Sequence, residues 1–193
     1  MDILRKGEER QLNQKYEEAS LLHKTAQSLL EQGDPENALK HYRSALGLLR
    51  DMDDKNAQAM VLNNMGHIYV QRCEWNDALK CFKGAKDIFE TLNDRIGTAD
   101  QLQNIGSVYR DKKEYDASLE YYYASLSLYE ELSETCGVAN QMTNIGYIYA
   151  MKNEPLQAVE WFEKALPLYE SVGEAKRTYL SRKNIERLKH MSG

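Results

Sequence analysis

The chain has 193 residues, 28% of them charged, with only 3 Pro, 11 Gly and 3 Cys. No apolar run approaches the roughly 18 residues of a membrane span, the first ten residues hold no signal-peptide core, and no two cysteines form a CxxC pair, so a reduced cytoplasm is the expected setting. The net charge of −5 is uneven: residues 51–173 carry 11 basic and 20 acidic groups, while residues 174–193 carry 6 basic and 2 acidic. An acidic body argues against a broad nucleic-acid footprint, which needs cations to displace the counterions of phosphates.

From the start, residues 8–32 lack Pro and Gly and read as one long helix, with Leu12, Tyr16, Ala19, Leu22, Ala26 and Leu29 on one face. Residues 1–18 precede the repeats as an extension, expected to be helical, that also carries Ile3 and Leu4. Gly33-Asp34-Pro35 stops this helix and starts a second, which runs to about Met52. Paired helices follow near 55–72 and 75–92, then 95–112 and 115–132, then 135–152 and 155–172, and a ninth helix occupies 174–191. Pro167 lies inside the last second helix and is expected to bend it.

The pairs repeat. Leu62-Asn-Asn-Met-Gly-His-Ile-Tyr69 returns as Leu102-Gln-Asn-Ile-Gly-Ser-Val-Tyr109 and as Met142-Thr-Asn-Ile-Gly-Tyr-Ile-Tyr149, each 40 residues on. A fixed period of this size marks a solenoid of stacked helical hairpins. Ala26, Gly66, Gly106 and Gly146 form one column of small residues; Ala38, Ala78, Ser118 and Ala158 form another; Ala45, Ala85, Ser125 and Ala165 a third. Tyr42, Phe82, Tyr122 and Phe162 supply rings between them. A glycine inside a helix costs about 1 kcal/mol relative to alanine, so three in register require a close helix contact.

These columns resemble the tetratricopeptide repeat (TPR), in the 40-residue variety similar to the Leu-Gly-Asn spindle adaptors, the kinesin light chains and the Rap-type regulators. The resemblance implies an all-α fold, a right-handed superhelical solenoid of four helix-turn-helix TPR units at 19–58, 59–98, 99–138 and 139–173, with 174–193 as a capping helix. Glu186 and Lys189 replace the Gly and Tyr columns in that last helix, which suits a solvated outer face. The apolar face it covers, including Trp161 or its neighbours, would be exposed by its removal.

The resemblance also implies a concave groove lined by first helices. The Asn column, Asn64, Asn104, Asn144 and Asn184, would point into it, with Asn63, His67, Gln103, Ser107, Arg110, Thr143 and Tyr147 beside it. An Asn amide can bond both groups of a passing backbone, and equally can bond a neighbouring helix and fix stacking; spacing does not separate the two uses. The carboxylate clamp of some family members would fall on His23, Gln27, Asn64, Asp100 and Asn104, where Asp100 replaces the needed Lys.

Nothing in the chain points to catalysis. There is no HExxH, GxSxG or Gly-rich phosphate loop, and His23, His41, His67 and His190 are scattered, so no catalytic group, metal or cofactor is expected. Cys73 and Cys81 read as packing residues, and Tyr123 as exposed. The expectation is a non-catalytic scaffold or adaptor holding a peptide or helix of a protein partner, as a monomer or weak homodimer, with neither nucleic-acid binding nor membrane insertion. The alternative is a module that self-associates through residues 1–18 or an exposed terminal repeat.

Overall fold

The computed structural model describes the backbone of residues 2–192 and the side chains of residues 9–190, so Ile3 and Leu4 lie outside the described side chains. Among these residues there are nine α-helices and no strand: α1 (Asp2–Glu31), α2 (Pro35–Asp51), α3 (Lys55–Gln71), α4 (Trp75–Thr91), α5 (Arg95–Asp111), α6 (Tyr115–Glu131), α7 (Thr135–Met151), α8 (Pro155–Ser171) and α9 (Ala175–Ser192). The fold is the expected all-α array of helical hairpins. Two compact units divide it, residues 1–93 with α1–α4 and residues 94–193 with α5–α9.

Each joint between helices spans three residues and follows one rule. The middle residue is left-handed: Gly33, Asp53, Cys73, Asn93, Lys113, Ser133, Asn153 and Gly173, with φ between 54° and 79°. Its N–H bonds back to a carbonyl of the helix just ended, and at every joint but that of Asn93 the next N–H does so too, as in Asp53 N to Arg50 O at 3.1 Å and Asp54 N to Leu49 O at 3.0 Å. This Schellman arrangement satisfies carbonyls that would otherwise be orphaned. The third joint residue then caps the following helix. Asp34, Asp54 and Asp94 accept from the N–H of Asn37, Ala57 and Gly97, whereas Glu74, Glu114, Glu134 and Glu154 make no such bond. A side-chain cap is worth about 1 kcal/mol.

Within hairpins the columns pack as their composition requires. Tyr42, Phe82, Tyr122 and Phe162 are buried, and so are all the Ala and Ser of the two second-helix columns. A Cβ built on Gly66 would stand 2.5 Å from the Phe82 ring, and one on Gly106 would stand 2.9 Å from Tyr122, so both positions admit only glycine without a shift. Where serine replaces alanine it acquires a bond: Ser118 Oγ donates to Gly106 O and Ser125 Oγ to Ala99 O, each at 2.8 Å. These tie α6 to α5 and satisfy two buried hydroxyls.

Leu12 and Tyr16 are exposed at 44% and 41%, because the 17 residues of α2 can cover only part of the 30-residue α1. Cys73 is no packing residue; it is exposed at a joint with φ 58°, while Cys81 is buried as expected. In the second unit, Leu188 and Ile185 of α9 cover Val159 and Phe162, the latter next to Trp161 in the chain. Trp161 itself meets Tyr123 edge-on at 5.7 Å. The helix α8 runs unbroken through Pro167.

Candidate functional site

The first helices, α1 and α3 in one unit and α5, α7 and α9 in the other, carry the predicted site residues. In unit 1, a cavity of about 440 Å³ lies between α1 and α3. Gln27, Tyr42, Asn64 and His67 are on its wall. Asn64 bonds the Tyr42 side chain, whose hydroxyl is otherwise driven by burial toward a raised pKa. His67 lays its ring edge-on against Phe82 at 5.2 Å, and His23 does the same with Tyr42 at 5.3 Å. Burial lowers the pKa of both imidazoles, which favours their neutral form. Asn63 is half-buried beside them.

In unit 2, a cavity of about 310 Å³ is walled by α7, α8 and α9. Asn144 Nδ2 donates to Gln141 Oε1 at 3.3 Å, and Gln141 Nε2 donates to Gln103 Oε1. Thr143 Oγ1 lies 3.0 Å from the Tyr169 hydroxyl, which donates to Asn140 Oδ1 at 2.9 Å. Arg177 Nη1 donates to the same Asn140 oxygen. Tyr147 packs on Phe162 at 5.1 Å and accepts from Asn184 Nδ2 at 3.0 Å. On α5, Ser107 Oγ is 3.0 Å from the Tyr122 hydroxyl, and Arg110 bonds Asp111 at 2.9 Å. Burial works against the Arg110 charge, but Asp111 and Tyr122 outweigh it and keep the guanidinium protonated. Asn104 is half-buried on the same helix.

The Asn column thus occupies equivalent places within each unit. Asn64 and Asn184 each spend one hydrogen bond on a side chain of another helix, and Asn144 spends one on Gln141 within α7. An amide with three bonding groups is not exhausted by one partner. Sequence reasoning missed Gln141, Asn140, Tyr169, Lys176 and Arg177. The signal for the first was present: Val61, Gln101, Gln141 and Ser181 share one column, and a polar residue substituted into a buried column needs a bond. No group of three or more His, Cys, Asp or Glu among the described residues could hold a metal, and no described helix is long and apolar enough to cross a membrane.

A family-wide sequence model described as the tetratricopeptide repeat matches residues 57–131 and 98–171. No curated protein matches the chain. Solved structures do. RapI in its apo form is 18% identical with a TM-score of 0.82, over 91% of this chain and 64% of that one. Aspartyl phosphate phosphatase F from Bacillus subtilis is 14% identical with a TM-score of 0.78, over 98% and 55%. A putative kinesin light chain from Podosopora anserina, of nearly identical TPR-like repeats, is 11% identical with a TM-score of 0.73, over 90% and 86%. At these identities the likeness is one of fold, and the chain spans only 64% and 55% of the first two proteins.

Proposed function

The chain belongs to the tetratricopeptide repeat family, and we propose that it is a non-catalytic scaffold that holds a peptide or helical segment of a protein partner against its first helices. The observation that carries this reading is a set of cavities on that helix set, present in both units and walled in part by polar side chains that differ between units. Asn64 and His67 line one of them, and Asn144 and Tyr147, at the same repeat positions, line another. Constant amides supply backbone bonds, and the variable neighbours Asn63, Gln103, Ser107, Arg110 and Thr143 read side chains. A cytoplasmic setting and the unit boundaries at residues 19, 59, 99 and 139 belong to the same proposal.

The test uses peptides selected on the full chain by display from a random library. Asn64→Ala, Asn104→Ala and Asn144→Ala are combined, and melting temperature and peptide affinity are measured on the same protein. We expect affinity to fall while the chain stays folded at the assay temperature, since each net bond is worth about 0.5–1.5 kcal/mol. Unchanged affinity in a destabilised chain, or no selectable peptide at all, overturns the reading. A second reading, self-association through α1, draws on the exposure of Leu12, Tyr16 and Leu21. Sedimentation of the full chain against a version starting at residue 19 tests it: an unchanged monomer in both excludes it.

A further inference from the structure

Helix α9 carries six basic residues, and they divide into two sets. Arg182 pairs with Glu170 at 2.6 Å, Lys189 with Glu163 at 2.6 Å, and Arg177 is held by Asn140 and stands 3.7 Å from Glu174. Lys176, Lys183 and Arg187 are exposed and make no ion pair or hydrogen bond among the described residues. Their spacing, with Leu180 between, follows four, three and four residues, which is one face of a helix. That face adjoins the first-helix surface, because Lys176, Arg177 and Leu180 line the 310 Å³ cavity and Asn184 on the same helix donates to Tyr147. Lys176 and Arg177 also sit in the first turn of α9, the positive end of the helix dipole, where cations are disfavoured. The cavity wall is polar and holds no carboxylate: the Tyr169 and Thr143 hydroxyls and the Asn140 and Asn144 amides, bonded among themselves and to Gln141, face it with the two cations. Positive charge is therefore concentrated on α9, whereas residues 51–173 carry 20 acidic and 11 basic groups.

We propose that the α7–α9 end of the first-helix surface docks an acidic segment of a partner protein. One Asp or Glu carboxylate enters the cavity against Lys176 and Arg177, an apolar side chain meets Leu180, and further carboxylates meet Lys183 and Arg187. This rests on the reading of the first helices as the binding surface and narrows it to a chemistry. A peptide suits the site better than a phosphate polymer. Three unpaired cations on one helix form no continuous track for a nucleic-acid backbone, whereas a short segment can place its charges on α9 alone.

The experiment uses the full chain and four probes. These are a fluorescein-labelled peptide of Glu, Asp and Leu, its counterpart with Gln and Asn for Glu and Asp, an oligouridylate, and unlabelled protein followed by sedimentation. Lys176→Gln, Lys183→Gln and Arg187→Gln are combined, and a control combines Lys40→Gln, Lys80→Gln and Lys83→Gln with the same change of charge. We expect the acidic peptide to bind, the uncharged one not to, and the α9 variant to lose roughly tenfold in affinity while the control does not. Absent binding of the acidic peptide, equal loss in both variants, or no loss in the α9 variant overturns the proposal. So does tighter binding of oligouridylate, or self-association that disappears in the α9 variant, which would make a second copy the occupant. If the displayed peptides that bind have no acidic bias and ignore the α9 variant, this inference fails and the scaffold reading stands.

Discussion

Tyr129 donates its hydroxyl hydrogen to a carboxylate oxygen of Asp100, 29 residues earlier, and Tyr169 makes the equivalent bond to Asn140, again across 29 residues. The same two columns meet in both hairpins of the second unit, with a carboxylate in one and an amide in the other. Burial first, and then Asp100, raises the Tyr129 pKa above its ordinary range.

A raised phenol pKa stabilises the fold while the group is neutral in both states. That contribution is complete below the unfolded value of about 10 and is lost as pH rises beyond it. The melting temperature is therefore expected to fall above pH ~10, and to fall less in Tyr129→Phe. At neutral pH that variant should lose about 1 kcal/mol in urea titration, because exposed Asp100 regains water as a partner. Parallel alkaline profiles of the two proteins would overturn this role.

The glycines should not respond alike to alanine. On Gly146 the added Cβ would be 3.3 Å from Phe162 and from the Ala158 carbonyl, and the helix gains about 1 kcal/mol of propensity. Gly146→Ala is expected to be near neutral. Gly66→Ala and Gly106→Ala drive a methyl against buried rings at 2.5 and 2.9 Å, and should cost about 1–3 kcal/mol. Gly106→Leu should cost more. Melting temperatures ranked in any other order would remove the packing account of the column.

Non-glycine residues in the left-handed region carry strain of about 1 kcal/mol, least for Asn and Asp. Lys113, with φ 63°, is exposed. Lys113→Gly should therefore stabilise the chain, Asn153→Gly less so, and Gly173→Ala should destabilise it. Denaturant midpoints at constant slope measure all three.

The cysteines should separate by reactivity. Burial pushes the Cys81 thiol up to about 11, while Cys73 is exposed. A thiol reagent at pH ~8 is expected to modify Cys73 rapidly and Cys81 only at the rate of unfolding. Mapping of the first labelled peptide settles the order, and labelling of Cys81 before Cys73 would contradict the burial described here.

Much of this was legible in the sequence, and for a physical reason. The period locates every helix and joint, and a glycine inside a helix announces a close contact, as Gly66 and Phe82 show. What periodicity cannot reveal is where a hydroxyl points once its ring is buried. Tyr169 is read easily as a core residue, but its bond to Asn140, and through Asn140 to Arg177, depends on side-chain geometry across 29 and 37 residues. The site was legible as a set of positions. That three of its Asn side chains bond Tyr42, Gln141 and Tyr147 was not. Leu12 and Tyr16 follow the core spacing of α1 at a level where α2 no longer covers it.

The left-handed residue that recurs every twenty positions makes the chain countable. Leaving one joint and arriving two joints later returns the backbone to the same conformation after 40 residues. A duplication or deletion of one such length keeps every later side chain in phase with its column, whereas a length that is not a multiple of twenty puts a helix residue at a joint or a joint inside a helix. The chain can therefore grow or shrink in whole units at little folding cost, and a foreign unit can be grafted by cutting at Asp53 and Asn93 without redesigning the helices on either side.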